Sequence, residues 1–445
     1  MSQKGTRKLK IDGFLFTKHR DGQDGKIIWR CESRTCGARV HSRNDRLLQQ
    51  VGDHNHAIQH GKAEIESVRS EMKEFAKQRQ EPTRVIVQRG VSAVPVGLAN
   101  LLPSRDVLSR DVRRHRQSVR LDENDLTPYS LTIEGNDFLR IQNNDMVIFA
   151  SDVDVEFLSR CDHWFADGTF RVTPAGYDQL YTLHGFLNDR TYPCVYALLS
   201  GRAEVIYQRF LASLLTLTNG LNPISVVTDF EMAAMNAIRV QFPNVILNGC
   251  MFHFGQCVWR KLQAEGLSAT YNGDPEFATR TKRLLALAFV PPADVVGVFE
   301  AVIGDPSYRD LDSIISYIEQ NFIGRRIGNA RNAARFAIPL WNQYDRVLQK
   351  LPRSNNALEG WHNAFNNSVG IAHPTPAALA EKLRIEQHSM AIFRRQMELG
   401  QPAPKRKRIY QRIDDALFTM VTDYPNRNAQ QYLTDIARVL NINVV

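Results

Sequence analysis

Between residues 138 and 263 the apolar residues arrive in short runs that switch between two periods, and that alternation restricts the chain to few architectures. Strand-like runs occupy 138–141, 146–150, 164–167, 178–186 and 192–199. A helix-period stretch then covers 203–218, followed by a strand at 224–228, a helix at 231–241, a strand at 245–247 and a helix at 252–263. Strand-like runs alternating with helix-period stretches predict an α/β body. At 445 residues, 43% hydrophobic and 23% charged, the chain is a folded protein too long for one core, and two to four domains are expected.

Two of these runs end on an acid. Asp167 lies in Trp164-Phe165-Ala166-Asp167-Gly168-Thr169, and Asp229 closes Ile224-Ser225-Val226-Val227-Thr228-Asp229. A third acid, Glu359, lies in Asn355-Asn356-Ala357-Leu358-Glu359-Gly360-Trp361-His362. Three hairpin strands, a helix and an acid-ended strand follow the order of a ribonuclease H-like sheet, in which the first and fourth strands are neighbours. Asp167 and Asp229 then enter one cleft. Carboxylates a few ångströms apart raise one another's pKa unless a cation neutralises them. Three of them suit two divalent ions about 4 Å apart, the arrangement for in-line attack on a phosphodiester. Mg²⁺ (or Mn²⁺), a hard ion that accepts phosphate oxygens, fits best. Each acid alone has a plainer reading: Asp229 as the cap of the next helix, Glu359 as a helix-surface residue. Glu231 and Asp178 are expected to face solvent or neighbouring strands. Asn355, Asn356 and His362 are expected to position the substrate or Glu359, by proximity alone.

The gap from Asp229 to Glu359 exceeds what such a core requires, and residues 269–350 read as helices. The expected organisation is a core of 128–268 and 351–400 interrupted by an all-α insertion at 269–350, with 401–445 as a C-terminal tail. Pro402-Ala403-Pro404 precedes Lys405-Arg406-Lys407-Arg408, which reads as a solvated charge run or as a nuclear localisation signal. With the remaining features, the second reading predicts the nucleus.

At the other end, Cys31, Cys36, His54 and His56 form C-x4-C-x17-H-x-H. Thiolates and imidazoles are zinc's preferred ligands, and four of them make a closed structural site. Residues 1–60 are poor in core, so Zn²⁺ is expected to supply much of their folding free energy. Strands are expected at 12–16, 27–31 and 38–41, with a turn at 21–25; His41 and His60 are the alternative ligands. Residues 61–127 then read as a basic helical connector. Ile65, Val68, Met72, Phe75 and Ala76 share one helical face, a second helix starts at Pro82, and a third covers 105–117 with Arg110, Arg113, Arg114 and Arg116. This is either a helix-turn-helix laying the arginines on DNA phosphates or a solvated linker. Residues 1–120 carry 25 Lys and Arg against 13 Asp and Glu, and the rest carry 31 against 34. The surplus behind the net charge of +9 is therefore N-terminal, the footprint of a polyanion-binding module.

The segment 5–60 resembles the FLYWCH zinc finger, a small β-rich DNA-binding module. Residues 160–370 resemble the Mutator-like element (MULE) transposases of the DDE superfamily. The anchors are Asp167-Gly168-Thr169-Phe170, Thr228-Asp229-Phe230-Glu231, Cys250-Met251-Phe252-His253 and Asn356-Ala357-Leu358-Glu359-Gly360-Trp361-His362. The resemblance implies that Asp167, Asp229 and Glu359 bind magnesium and that Cys250 and His253 lie near the active site. It also implies DNA partners (transposon ends and target) and a homo-oligomer on that DNA. The competing class is a transposon-derived DNA-binding regulator that keeps the fold without the chemistry. No apolar run approaches the roughly 18 to 20 residues of a membrane helix, the N-terminus leads straight into polar sequence, and six cysteines are too sparse for a disulfide scaffold.

Overall fold

The structure, a computed structural model, describes residues 8–44, 46–58, 61–78, 83–118, 124–218, 220–401 and 407–440. It comprises two compact units, residues 1–123 and 124–445.

The first unit opens with an antiparallel sheet in sequential order: β1 (Lys8–Ile11), β2 (Phe14–Asp21), β3 (Lys26–Cys31), β4 (Arg39–Arg43) and β5 (Arg46–Val51). The strand expected at 12–16 begins only at Phe14. Asp12 and Gly13 both have positive φ (47° and 82°), the backbone of a two-residue hairpin loop, and Ile11 pairs with Phe14 across it. β1 and β5 were not foreseen; every residue of β5 is exposed, so it carries no alternation to read. One face buries Phe16, Trp29, Cys31, Ala38 and Val40, and Trp29 Nε1 donates to Ser42 Oγ at 2.8 Å.

Three helices follow, α1 (Lys62–Gln78), α2 (Thr83–Ser92) and α3 (Arg105–Ser118). They pack around Met72, Ala76, Ile86, Val87, Leu108 and Val112, so the apolar face read along α1 is its packing face. Buried Arg69 bridges Glu66 at 2.9 Å and Asp111 at 2.5 Å, tying α1 to α3. Residues 93–104, with a 3-10 turn at Val96–Leu101, join α2 to α3. That connection is longer than the three- or four-residue turn of a helix-turn-helix.

The second unit is built on a seven-stranded mixed sheet. Its strands are β6 (Leu139–Gln142), β7 (Met146–Phe149), β8 (His163–Thr169), β9 (Gln179–Leu187), β10 (Arg190–Leu199), β11 (Ser225–Thr228) and β12 (Ile246–Gly249), in the order β12-β11-β8-β9-β10-β7-β6. β11 runs parallel to β8 and β12, and the other pairs are antiparallel. Helices α4 (Asp152–Ser159), α5 (Glu204–Leu215) and α6 (Met232–Gln241) connect strands of the sheet, and α7 (Met251–Ala264) follows the last of them. Trp164 and Ala166 of β8 enter the larger core, while Phe165 packs the opposite way against Val227, Cys250 and Leu358. Strand alternation therefore sends Asp167 to the side of Phe165.

Residues 268–348 form α8 (Ser268–Gly273), α9 (Pro275–Ala286), α10 (Val295–Ile303), α11 (Asp312–Ile318), α12 (Ile338–Trp341) and α13 (Tyr344–Leu348). The insertion is not all-α, because Arg326–Ile327 and Ala330–Arg331 pair as a short hairpin. α14 (Asn356–Val369) and α15 (Pro376–Glu398) return to the sheet, where Phe365, Val369, Leu379 and Leu383 cover Val147, Phe149, Leu180 and Leu198. Arg394 of α15 and Asp154 of α4 form a buried ion pair, with Gln387 donating to Asp154 at 3.1 Å.

The segment expected as a tail is structural. α16 (Arg408–Thr422) and α17 (Ala429–Val439) bury Leu417, Val421, Tyr432, Leu433 and Ile436 in the same core as the insertion, and the Tyr432 hydroxyl donates to the Phe289 carbonyl at 2.5 Å. Of the basic tetrad, Lys405 and Arg406 lie outside the described residues; Lys407 and Arg408 are exposed.

Candidate active site and metal centre

Register brings the first two acids together. Ser225, Val226 and Val227 of β11 stand opposite His163, Trp164 and Phe165 of β8. Asp229 lies two residues beyond Val227 and Asp167 two beyond Phe165, so the two acids lie near one another and the charge of Asp229 acts on the Asp167 carboxyl. Asp167 is 6% exposed and Asp229 half-buried. Asp229 does not cap the next helix; Glu231 occupies that position.

The third acid arrives through a sequence-distant lock. Cys250 follows β12, its amide donating to the Thr228 carbonyl at 2.8 Å. Its buried sulfur accepts the Asn355 amide at 3.1 Å, and Asn355 Nδ2 donates to the Ala166 carbonyl at 3.3 Å. Buried Arg346 donates to the Pro352 carbonyl at 2.7 Å and to Asn248 Oδ1 at 3.0 Å, fixing the approach to α14. α14 thus starts beside the ends of β8 and β11, with Glu359 in its first turn, where the helix dipole favours an anion. Glu359 Oε1 lies 3.7 Å from His253 Nε2 on α7. One turn further along α14, His362 Nδ1 lies 3.6 Å from Asp167 Oδ2.

The electrostatics are those of crowded anions. Burial, then Asp229 and more weakly Glu359, pushes the Asp167 carboxyl well above the usual range, against the amide of Gly168 donating to it at 2.9 Å. Burial raises Asp229, with His253 opposing, and lifts Glu359 to about 7. Burial likewise lowers His253, and it lowers His362 to about 4, so both imidazoles are neutral near pH 7. Among the described residues no Lys or Arg forms an ion pair with any of the three acids. Buried hard oxygen donors without a counter-charge are a donor set that fits a divalent cation. The three carboxylates do not close into a single-ion cluster; among the described residues the finger alone does so.

A cavity of about 310 Å³ opens beside Asp229. Arg202, Arg260 and Arg335 reach it from three separate segments, with Glu231, His253 and Cys257 also in its wall. Among the described residues none of these arginines has a carboxylate partner: Arg202 lies over Phe170, Arg335 over Phe336, and Arg260 donates to Gln256. Glu231, expected to face solvent or a strand, instead accepts from the Tyr207 hydroxyl at 3.0 Å and lines this cavity; Asp178 is exposed, as expected. Asn355 is fully buried and Asn356 exposed, so only the first serves the lock. The sequence offered no sign of the arginines or of Thr182, which lies 3.3 Å from His362 Nε2, because none sits in a motif.

In the first unit the four predicted zinc ligands converge. Their ligand atoms lie within 4.8 Å of one another, with Cys31 Sγ 3.2 Å from His56 Nε2 and Cys36 Sγ 3.4 Å from His54 Nδ1. His56 Nδ1 lies 3.0 Å from the Ala57 carbonyl, which leaves Nε2 as the ligand nitrogen. Phe14 stacks on His54 at 3.5 Å between ring centres. Burial raises the Cys31 thiol and the nearby Cys36 adds to it, a pair that Zn²⁺ resolves. His41 points elsewhere, to Gln49 at 3.0 Å, and His60 lies outside the described residues. On α3, Arg110, Arg113 and Arg114 are exposed; the side chain of Arg116 lies outside the described residues.

A closed Cys2His2 finger and an α/β unit with three crowded carboxylates together define a zinc-finger protein carrying a second, α/β domain. Residues 163–256 match the MULE transposase domain and residues 1–56 match the FLYWCH zinc finger domain. The chain therefore carries a MULE transposase domain behind a FLYWCH finger, the pairing its motifs anticipated, and these domains suggest a transposase-related, DNA-binding function. The first match spans Asp167, Asp229, Cys250 and His253 and ends before Glu359. No curated protein matches the chain. Among the described residues no helix is long and apolar enough to cross a membrane.

Proposed function

We propose that the second unit is a ribonuclease H-like DDE transposase core that cleaves and joins DNA strands. The observations that support this reading are the parallel pairing of β11 with β8, the action of the Asp229 and Glu359 charges on buried Asp167, and the Cys250–Asn355–Ala166 lock that starts α14 beside them. Bound Mg²⁺ or Mn²⁺ would neutralise the three carboxylates and activate first a water and then a DNA 3′-hydroxyl for attack on phosphorus. Asp167, Asp229 and Glu359 are the residues that would hold the metal ions. Gly168 N–H holds one Asp167 oxygen, which directs the other toward His362. Neutral His253 and His362 orient Glu359 and Asp167 without adding charge. The unpaired guanidiniums of Arg202, Arg260 and Arg335 offer paired N–H donors to phosphates flanking the scissile bond. In each transfer the attacking oxygen gives up its proton and the leaving 3′ oxygen gains one, with no covalent bond to protein. The finger binds the DNA, two or more chains assemble on it, and exposed Lys407 and Arg408 belong to a nuclear address.

The test is Mg²⁺-dependent strand cleavage on duplexes carrying the inverted repeats that flank the gene. Wild-type protein is expected to nick them, and Asp167→Ala, Asp229→Ala and Glu359→Ala to lose nicking while binding the same duplex. Undiminished nicking by these variants refutes the site. Binding without nicking by the wild type favours the regulator reading.

A further inference from the structure

The finger's sheet has a second face, and its side chains form three rows fixed by register. Arg30 stands opposite Arg39, with Thr17 flanking. Ile28 stands between Arg20 and His41, and His41 pairs with Gln49. Lys26 stands opposite Arg43, which stands opposite Arg46. Like charges directly across a ladder are destabilising, and here they recur in both outer rows. Among the described residues neighbouring acids do not relieve them: Arg20, Lys26, Arg30, Arg39 and Arg46 have no carboxylate within 4.0 Å there, and Arg43 only just reaches the highly exposed Asp24. By contrast, Lys8 is paired to Glu32 and Lys18 to Asp21, both at 2.7 Å. His41, in the middle of the face, feels the same field: burial and then the charges of Lys26, Arg39 and Arg20 hold its pKa below the usual value.

The dimensions identify the anion. Four residues of extended strand separate the Arg39 row from the Arg43 row, or about 13 Å, close to the roughly 12 Å width of the DNA major groove. The middle row between them carries the hydrogen-bonded His41 and Gln49 side chains, donors and acceptors of the kind that read base edges.

We infer that this open face is the finger's DNA-binding surface, its outer rows gripping phosphates on both sides of the major groove and His41 and Gln49 facing the bases. The inference rests on the DNA-binding reading above and names the surface responsible. It moves the principal contact away from the arginines of α3.

The 445-residue chain loaded with zinc is titrated onto a short mixed-sequence duplex, with fluorescence anisotropy read between about 50 and 200 mM salt. Arg30→Ala with Arg39→Ala, and separately Arg43→Ala with Arg46→Ala, are expected to weaken binding about tenfold or more. Each pair should lower the slope of log K against log salt by about 2, near 0.9 per lost phosphate. Retained zinc shows that each variant is folded, since all four side chains are exposed. Gln49→Ala is expected to leave the slope unchanged and broaden sequence preference in a selection from random duplexes. If both pairs keep the wild-type slope while Arg110→Ala with Arg113→Ala and Arg114→Ala loses it, the surface is α3 and the inference is overturned. A wild-type protein that binds no duplex overturns the DNA-binding reading itself.

Discussion

Replacing Glu359 with Gln should stabilise the metal-free protein at pH 8 while removing its chemistry. Burial lifts the Glu359 carboxyl from an ordinary 4.5 to about 7. Below pH 4.5 the group is protonated in both folded and unfolded chains, so it contributes nothing to the difference between them. Between 4.5 and 7 the unfolded chain ionises first, and stability falls as pH rises. Above 7 the folded protein holds a buried anion, at a cost of up to about 3.4 kcal/mol for a shift of this size. The side chain keeps a quarter of its surface exposed, and solvent screening reduces this to about 2 kcal/mol. Gln fills the same space without ionising. An ordinary unfolding entropy per residue over residues 124–445 converts about 2 kcal/mol into roughly 3 °C of Tm. Thermal unfolding in chelator should show Glu359→Gln melting about 3 °C above wild type at pH 8 and level with it near pH 4.5. Mg²⁺ should stabilise the wild type at pH 8 more than the variant, because binding to the folded state alone raises Tm. Equal melting at pH 8 in chelator would falsify the argument that position 359 carries a buried, uncompensated charge.

Removing zinc, by chelation or by Cys31→Ser, should unfold the finger around Trp29, whose neighbour in the chain is Arg30 and whose core partner is Cys31, and should abolish high-affinity duplex binding. Zinc content together with tryptophan fluorescence reports this, and a zinc-free variant that keeps its fold and affinity contradicts it. His362→Ala should lower cleavage, or raise the Mg²⁺ needed for it, by about 10- to 100-fold with duplex affinity unchanged, because the imidazole orients Asp167 from outside the ligand set. Wild-type rates at limiting Mg²⁺ would show that the 3.6 Å contact has no role.

Legibility followed how local the physics was. Strand and helix periods were readable over most of residues 138 to 263 because half-buried strands and amphipathic helices repeat in sequence, and the elements lie within a few residues of the runs that announced them, except α4, which no run announced. The zinc ligands were readable because thiols and imidazoles at close spacing have few other reasons to coincide. Strand β5 was not readable, since all its residues face water. The last 35 residues read as one or two short helices without a role, because the core that α16 and α17 complete belongs to helices more than a hundred residues earlier, as the Tyr432–Phe289 hydrogen bond shows.

By itself the sequence determined which residues carry charge, which bind soft metal, and which segments could be strand or helix, because those properties belong to single side chains and their near neighbours. Only tertiary structure decided that Glu231 lines a cavity, that Cys250 locks Asn355 beside Ala166, and that three unpaired arginines meet at Asp229. Those facts depend on register and packing between residues up to 189 positions apart, and no local pattern encodes a distance of that kind.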